Sequence, residues 1–127
     1  LNNITMFNNN YDDEKKIYNV LKVLNLDVFV NSLPSKLETI IGSEGIELSV
    51  GQKQRIGIAR ALYTNPNILI FDEATNALDL QTEKKIINEI FSAKEEKTII
   101  FVSHNPENLV YCDTIYEVKE RGIFKKN

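Results

Sequence analysis

The segment NILIFDE, residues 67–73, is a short apolar run that ends in two acidic residues. A run of this kind fits a strand that is buried on both faces, as in a parallel sheet. KTIIFVSH, residues 97–104, has the same pattern with a polar end. Between the two runs, QTEKKIINEIFSA, residues 81–93, has isoleucines at helical spacing. Strand, helix and strand in this order predict an α/β domain with a mostly parallel sheet.

Loops and helices are predicted on both sides of this unit. The asparagine-rich composition of residues 1–10 predicts a loop. Asp12 is the predicted N-cap of the helix that follows. Residues 28–45 contain a proline and glycines in an irregular pattern, which fits short strands at most. Asn105, followed by a proline, predicts the cap of a short helix. The C-terminal residues predict a hairpin that turns near Gly122.

The segment ELSVGQKQRIGIARALY, residues 47–63, predicts an amphipathic helix that stops near Asn65, because a proline follows. Ser49 and Gln52 match a capping box, so Ser49 predicts a helix cap. Gly51 is unfavourable in a first turn, and it permits close approach to the backbone. The N-terminus of a helix has free amides and the positive end of the helix dipole, so one interpretation of this segment is a phosphate-binding site. The alternative is that Ser49 only caps its own helix.

Three polar residues directly follow the predicted strands. Asp72 and Glu73 end the first apolar run, and His104 ends the second. Ligands of parallel α/β sheets bind beyond the carboxyl ends of the strands, where these side chains are expected. One carboxylate can hold a hydrated Mg²⁺, and the other can orient or deprotonate a water molecule. The alternative is a solvated strand end with a helix cap and a structural histidine.

The composition excludes several classes of protein. The 127 residues carry a net charge of -3, which argues against a nucleic-acid partner. Cys112 is the single cysteine and His104 the single histidine, which argues against a disulfide and against a zinc site. No apolar run approaches the roughly 20 residues of a membrane span. Any link to a membrane is therefore expected from a partner or from another part of the polypeptide.

Four motifs, in this order, resemble those of the ATP-binding cassette (ABC) ATPase domain. LSVGQKQR, residues 48–55, resembles the family signature LSGGQ, and ILIFDE, residues 68–73, resembles the Walker B strand. NALD, residues 76–79, resembles the D-loop, and His104 resembles the switch histidine. The segment LPSKLETIIGSEG, residues 33–45, is similar to the corresponding stretch of exporter-type members. Together the motifs extend over most of the chain.

The resemblance implies a site for ATP and Mg²⁺. In this family two ATPase domains pair head to tail, so the signature helix of one contacts ATP held by the other. That contact would involve four residues, Ser49, Val50, Gly51 and Gln52. Asp72 would serve the Mg²⁺ shell, Glu73 the attacking water and His104 the γ-phosphate. Asp79 would help communication across the dimer.

The chain also departs from the family pattern. Val50 replaces a glycine of the signature, and Asn76 replaces the usual serine of the D-loop. No G-x-x-x-x-G-K-[ST] occurs, so we expect the Walker A half upstream in a longer polypeptide. The chain is then a partial P-loop-NTPase-type layered domain, which alone should be inactive. Residues 1–65 are interpreted as mainly helical subdomain, and residues 66–127 as core strands with a C-terminal hairpin.

The favoured interpretation is the ATPase domain of an ABC transporter that powers export across a membrane. The expected partners are a second ABC ATPase domain and transmembrane domains on the same polypeptide, with no nucleic acid. The expected location is the cytoplasmic face of a membrane, the bacterial inner membrane. The alternatives are a non-transport ABC protein of DNA repair or translation, and a non-catalytic assembly module.

Overall fold

A short parallel sheet, a hairpin and a group of helices make up the structure, a computed structural model that describes residues 1–6, 14–92 and 96–126. The α-helices are α1 (Asn2–Thr5), α2 (Glu14–Val23), α3 (Asp27–Ser32), α4 (Val50–Thr64) and α5 (Leu80–Ser92). The strands are β1 (Ile68–Asp72), β2 (Thr98–Val102), β3 (Ile115–Lys119) and β4 (Gly122–Lys126). Two 3₁₀ helices span Lys36–Glu38 and Pro106–Tyr111. Within the described ranges, no helix combines the length and the apolar character that crossing a membrane requires.

The two predicted strands pair with each other as expected. β1 and β2 run parallel, with Ile68 beside Thr98 and Asp72 beside Val102. α5 connects them, so the predicted strand, helix and strand unit of an α/β domain is confirmed. β3 and β4 pair antiparallel and turn directly before Gly122, which confirms the C-terminal hairpin.

The parallel sheet is buried on one face rather than on both. Leu69 and Phe71 are each 3% exposed, whereas Ile68 is 58% and Ile70 is 66% exposed. Helix α5 packs on the buried face, where the Phe91 ring lies with its centroid 5.6 Å from that of Phe101 on β2. The prediction of burial on both faces is wrong for the described residues, because their helices pack on one side only.

An apolar cluster joins the helices to the buried face of the sheet. Its members include Leu21 of α2 and Ile86 of α5, which are fully buried, and Ile58 of α4 and Leu69 of β1, which are buried. Arg55 of α4 donates hydrogen bonds to the carbonyl oxygens of residues 24 and 25, at 3.3 and 3.2 Å. These bonds satisfy carbonyls at the C-terminal end of α2, which have no partner within that helix.

Two N-terminal segments are helical where the local sequence pattern predicted a loop or short strands. Residues 1–10 were expected to form a loop, but residues 2–5 form α1, with Ile4 buried against the cluster. Arg60 of α4 donates a hydrogen bond to the Asn3 carbonyl at 2.9 Å, which ties this turn to the core. Residues 28–45 contribute to α3, in which Val30 is buried against the same core, and to a 3₁₀ helix; their extended pairing is limited to an isolated bridge from Ile41 to Ile46 in the described residues. The predicted cap at Asp12 lies outside the described residues.

We predict that Leu21→Ala destabilises the chain by about 2–5 kcal/mol, because it removes buried methyl groups and leaves a cavity in the cluster. Urea unfolding followed by circular dichroism measures this change. Val28→Ala is the control, since Val28 is 77% exposed and should change the free energy of unfolding by less than about 0.5 kcal/mol. Equal effects of the two substitutions would contradict the described core.

Candidate functional site

The carboxyl ends of β1 and β2 meet at one edge of the parallel sheet. Asp72 and Val102 are register partners at this edge, and the Glu73 N–H donates to the Val102 carbonyl at 3.1 Å. The loop that begins at Glu73 and the loop that carries His104 therefore leave the sheet side by side. Such an edge is where parallel α/β sheets bind ligands.

Glu73 occupies an unusual backbone conformation at the first position of its loop. The strand ends at Asp72, and Glu73 has a φ of 47°, in the left-handed region that residues other than glycine rarely adopt. One carboxylate oxygen of Glu73 pairs with Nε2 of His104. The other accepts a hydrogen bond from Nδ2 of Asn76 at 2.6 Å. Both oxygens of this carboxylate are therefore oriented by partners.

Asp72 lies beside this pair but is differently placed. Its side chain is exposed at the end of β1, and within the described residues its carboxylate has neither a hydrogen bond nor an ion pair. No group of three or more His, Cys, Asp or Glu side chains in the described residues could enclose a metal ion. The free carboxylate still fits Mg²⁺, because that ion is usually bound through one or two carboxylates, substrate phosphates and retained water.

The start of α4 has the predicted capping box. The Gln52 N–H donates to Oγ of Ser49 at 3.2 Å, and the Ser49 N–H donates to Oε1 of Gln52 at 2.9 Å. Ser49 is thus a helix cap in this structure. Val50, next to it, is 68% exposed. The start of α4 is therefore accessible. The Gln52 amide is used by the cap, whereas the amides of Val50 and Gly51 have no hydrogen bond within the described residues.

Gly51 has a neighbour that the sequence did not reveal. A Cβ atom at this position would lie 3.1 Å from the Ala77 carbonyl oxygen, which is tighter than ordinary contact. The Ala77 N–H donates to Oε1 of Gln54, one turn further along α4, at 3.0 Å. The close approach that Gly51 permits is therefore made by the segment 76–79 of the same chain.

Asp79 begins α5. Its Oδ1 accepts a hydrogen bond from the Thr82 N–H at 3.0 Å, in the manner of a helix cap. Hydrogen bonds from the Thr82 side chain and backbone hold the pKa of Asp79 below its usual value. This local role is compatible with the predicted role in a dimer, which no contact in the described chain addresses.

Sequence reasoning missed several side chains around the Glu73 loop. Asn76 was noted only as a replacement of serine, yet its amide contacts Glu73. Glu83 is 7% exposed and was not singled out, although it bonds to Thr75 and Asn108. The available signal was the position of Glu83 in the apolar stripe of α5, where a carboxylate needs buried partners.

The order of these elements can be compared with known proteins. The sequence model of the family described as ABC transporter matches residues 1–76, which is more than half of the 127 residues. The chain belongs to the ABC transporter family. The match includes α4 and β1, the elements that carry the signature-like and Walker B-like motifs.

Individual members of the ABC transporter family resemble the chain over most of its length. The multidrug resistance-like ATP-binding protein MdlB of Buchnera aphidicola subsp. Schizaphis graminum is 42% identical over 110 residues, which are 87% of this chain and 19% of that protein. A putative export ATP-binding/permease protein, RP696 of Rickettsia prowazekii, is 36% identical over 118 residues, covering 93% of this chain and 20% of that protein. The chain therefore spans about a fifth of the length of these relatives.

A solved structure of an ABC transporter supports the same assignment. The structure of a bacterial Atm1-family ABC exporter with ATP bound aligns with a TM-score of 0.78 and 35% identity, over 91% of this chain and 20% of that chain. This match confirms the predicted fold class, and the relatives named above are ATP-binding proteins of exporter-type ABC transporters.

We predict that replacing Asp79 by asparagine changes how stability depends on pH. Asparagine also caps helices but does not titrate, so the substitution isolates the charge. Because the folded-state pKa is lowered, the carboxylate stabilises the fold above the unfolded pKa of about 3.9 and loses this effect as the pH falls through the folded pKa. The melting temperature of the parent chain should exceed that of Asp79→Asn at neutral pH, and the difference should shrink below about pH 3.9. A difference of the same size at neutral pH and below about pH 3.9 would contradict a stabilising effect of the Asp79 charge.

Proposed function

We propose that the chain is the C-terminal half of a nucleotide-binding domain that hydrolyses ATP in an exporter-type ABC transporter. The observation that carries the proposal is the contact between Glu73 and His104 at the carboxyl edge of the parallel sheet. Family membership supports nucleotide binding, and the exporter names of the relatives support transport. In this proposal the remaining nucleotide-binding residues come from a preceding part of a longer polypeptide.

Glu73 acts in this proposal as the general base. His104 and Asn76 hold its two carboxylate oxygens, so the side chain enters the reaction already oriented. A water held against this carboxylate would attack the γ-phosphorus and give a proton to Glu73, while the bond from the γ-phosphorus to the bridging oxygen breaks and ADP leaves. A positioned base of this kind contributes about 10²–10⁴-fold to a rate. The strained backbone at Glu73 agrees with this role, because such strain is concentrated at functional sites.

His104 and Asp72 would flank the reacting phosphate in this proposal. The His104 side chain is 87% exposed, so its ring can contact a γ-phosphate while Nε2 faces Glu73. Asp72 would hold Mg²⁺ through water, using the carboxylate that has no partner in the described residues. A bound Mg²⁺ would neutralise charge on the phosphates.

The start of α4 would face ATP held by a second domain of the same kind. Four residues would line this contact, namely Ser49, Val50, Gly51 and Gln52. The Ser49 oxygen accepts a bond from Gln52, which leaves the hydroxyl hydrogen available to a phosphate oxygen. The amides of Val50 and Gly51, which are not used by the cap, and the helix dipole add to the attraction. The contact between Gly51 and Ala77 ties this helix start to the segment that ends at Asp79, which supports a role for Asp79 in communication between domains.

The partners in this proposal are a second ABC ATPase domain and transmembrane domains on the same polypeptide. The Rickettsia relative combines the terms ATP-binding and permease in its name, which supports a membrane part joined to the ATP-binding part. The chain would then lie at the cytoplasmic face of a membrane, in bacteria the inner membrane. Export of a substrate would be driven by cycles of domain pairing and ATP hydrolysis.

We predict that Glu73→Gln in the intact transporter lowers kcat for ATP hydrolysis by about 10²–10⁴-fold while ATP binding is retained, because the amide cannot accept the proton. Phosphate release and equilibrium ATP binding are the two measurements. Glu107→Gln is the matched control, since Glu107 is exposed, lies in the segment after His104 and has an ion pair only with Lys84 in the described structure. Turnover of Glu73→Gln close to that of the control would remove Glu73 as the base.

We predict that Ser49→Ala damages the site formed with the other domain. The test uses a transporter with two distinguishable ATPase domains and combines Ser49→Ala with Ala in place of the Walker A lysine. If the two changes are on opposite domains, they share one site and the second site continues to turn over. If they are on the same domain, both sites are damaged and turnover is lost.

The alternative outcome of this experiment is also specific. A residue that acts only as a helix cap would reduce stability by on the order of 1 kcal/mol and leave turnover of the folded protein unchanged. Equal turnover in the two arrangements would therefore leave Ser49 as a cap and overturn the proposed contact in trans. Thermal unfolding of each variant separates the loss of stability from the loss of the contact.

A further inference from the structure

A carboxylate is buried behind the loops that carry Glu73 and His104. Glu83 lies in α5 on the same side as Ile86, Ile87 and Ile90, and it is 7% exposed. A charged side chain is rarely this buried unless it is hydrogen-bonded. The position of Glu83 among apolar residues therefore calls for specific polar partners.

Two buried donors meet at one oxygen of Glu83. Oγ1 of Thr75 donates to Oε1 of Glu83 at 2.8 Å, and Nδ2 of Asn108 donates to the same oxygen at 2.8 Å. Thr75 is 2% exposed and Asn108 is 3% exposed, so water does not compete for these bonds. Nδ2 of Asn108 also lies 3.5 Å from Oγ of Ser103.

One donor lies in the Glu73 loop, and the other lies in the 3₁₀ helix that follows the His104 loop. Thr75 stands two residues after Glu73, and Ser103, which Asn108 contacts, directly precedes His104. The Glu73 and His104 side chains meet in a more exposed place, with 36% and 87% of their side-chain surface accessible. A buried bond is stronger than an exposed one because the surrounding dielectric is lower. The exposed contact between Glu73 and His104 is therefore supported by the buried hydrogen bonds of Glu83.

We propose that Glu83 is a positioning residue that holds the Glu73 loop and the His104 loop in a fixed relative arrangement through Thr75 and Asn108. This inference rests on the proposed function, since the loops matter for catalysis only if Glu73 and His104 act there. Glu83 does not touch the reacting atoms. It keeps the spacing between a base and its histidine partner, and a misplacement of about 1 Å at such a site lowers a rate by about 10²-fold.

A matched pair of substitutions isolates the acceptor oxygen. Glu83→Gln removes the charge but keeps Oε1 as an acceptor for both donors, whereas Glu83→Leu removes the charge and the acceptor at similar volume. We expect Glu83→Gln to retain most of the activity of the intact transporter. Glu83→Leu should lower kcat by about tenfold to a hundredfold and leave KM for ATP unchanged. Glu89→Leu is the control, because Glu89 is an exposed residue of the same helix.

A second measurement reports the environment of His104 in the absence of ATP. His104 is the only histidine of the 127 residues, so the chain labelled with ¹³C,¹⁵N-histidine gives a single set of ring signals. Glu83→Leu should shift these signals, while Glu83→Gln and Glu89→Leu should leave them close to the parent positions. If Glu83→Leu does not fold, Thr75→Val is measured instead. This substitution removes the hydroxyl donor in the Glu73 loop and keeps the side-chain shape nearly constant.

The two measurements separate this inference from the proposed function. Shifted His104 signals in the labelled chain, together with ATP turnover of the intact transporter that is independent of Glu73, would support the positioning by Glu83 and overturn the proposed function. Identical effects of Glu83→Gln and Glu83→Leu, or normal His104 signals in both Glu83→Leu and Thr75→Val, would overturn the positioning role. An equal loss of kcat in Glu89→Leu would overturn it as well.

Discussion

The pairing of β1 with β2 is the constraint on which the site depends. Its register sets Asp72 beside Val102, so the backbone leaves both strands at the same level of the sheet. A shift by one residue would move each side chain to the opposite face and would separate the loops. Phe101 keeps the register from the buried side, because its ring packs against both Phe71 and Phe91. The position of Glu73 relative to His104 is therefore a result of core packing.

The second constraint links the start of α4 to the loop after β1. Gly51 accommodates the Ala77 carbonyl, and Gln54 accepts a hydrogen bond from the Ala77 N–H. Arg55, the next residue, binds carbonyls at the end of α2. One turn of α4 thus contacts both the helical N-terminal part and the loop of the candidate site. Under the proposed function, a force applied to the start of α4 by a partner domain would reach Ala77 through direct contacts.

The sequence predicted those parts of the fold that local pattern and chemistry determine. The run 67–73 predicted β1, and Ser49 with Gln52 predicted the cap of α4, because both signals lie within a few neighbouring residues. The helices at residues 2–5 and 27–32 were missed, since they are held by distant groups such as Arg60. Burial of the sheet on both faces was predicted from an apolar run, but that run cannot show which helices lie above the strands.

In the candidate site, the sequence also revealed the residues with a local signal and missed those whose role depends on distant partners. Asp72, Glu73 and His104 were found because they directly follow apolar runs and match family motifs, and their proposed roles stay predictions. Glu83 was missed because its meaning depends on Thr75 and Asn108, which are 8 and 25 residues away in the chain. A single sequence reveals a carboxylate in an apolar stripe, but the identity of its partners appears only after the chain has folded.

At Glu73, the residue type that best suits the left-handed backbone differs from the residue type that the proposed reaction needs. Glycine or asparagine would adopt a φ of 47° with less strain than glutamate, so selection for stability alone would favour either of them here. Glutamate at this position is strained, and the bonds of its carboxylate to Asn76 and His104 must offset that strain. Directed evolution of this chain toward heat resistance is therefore expected to discard Glu73 early unless turnover is selected at the same time.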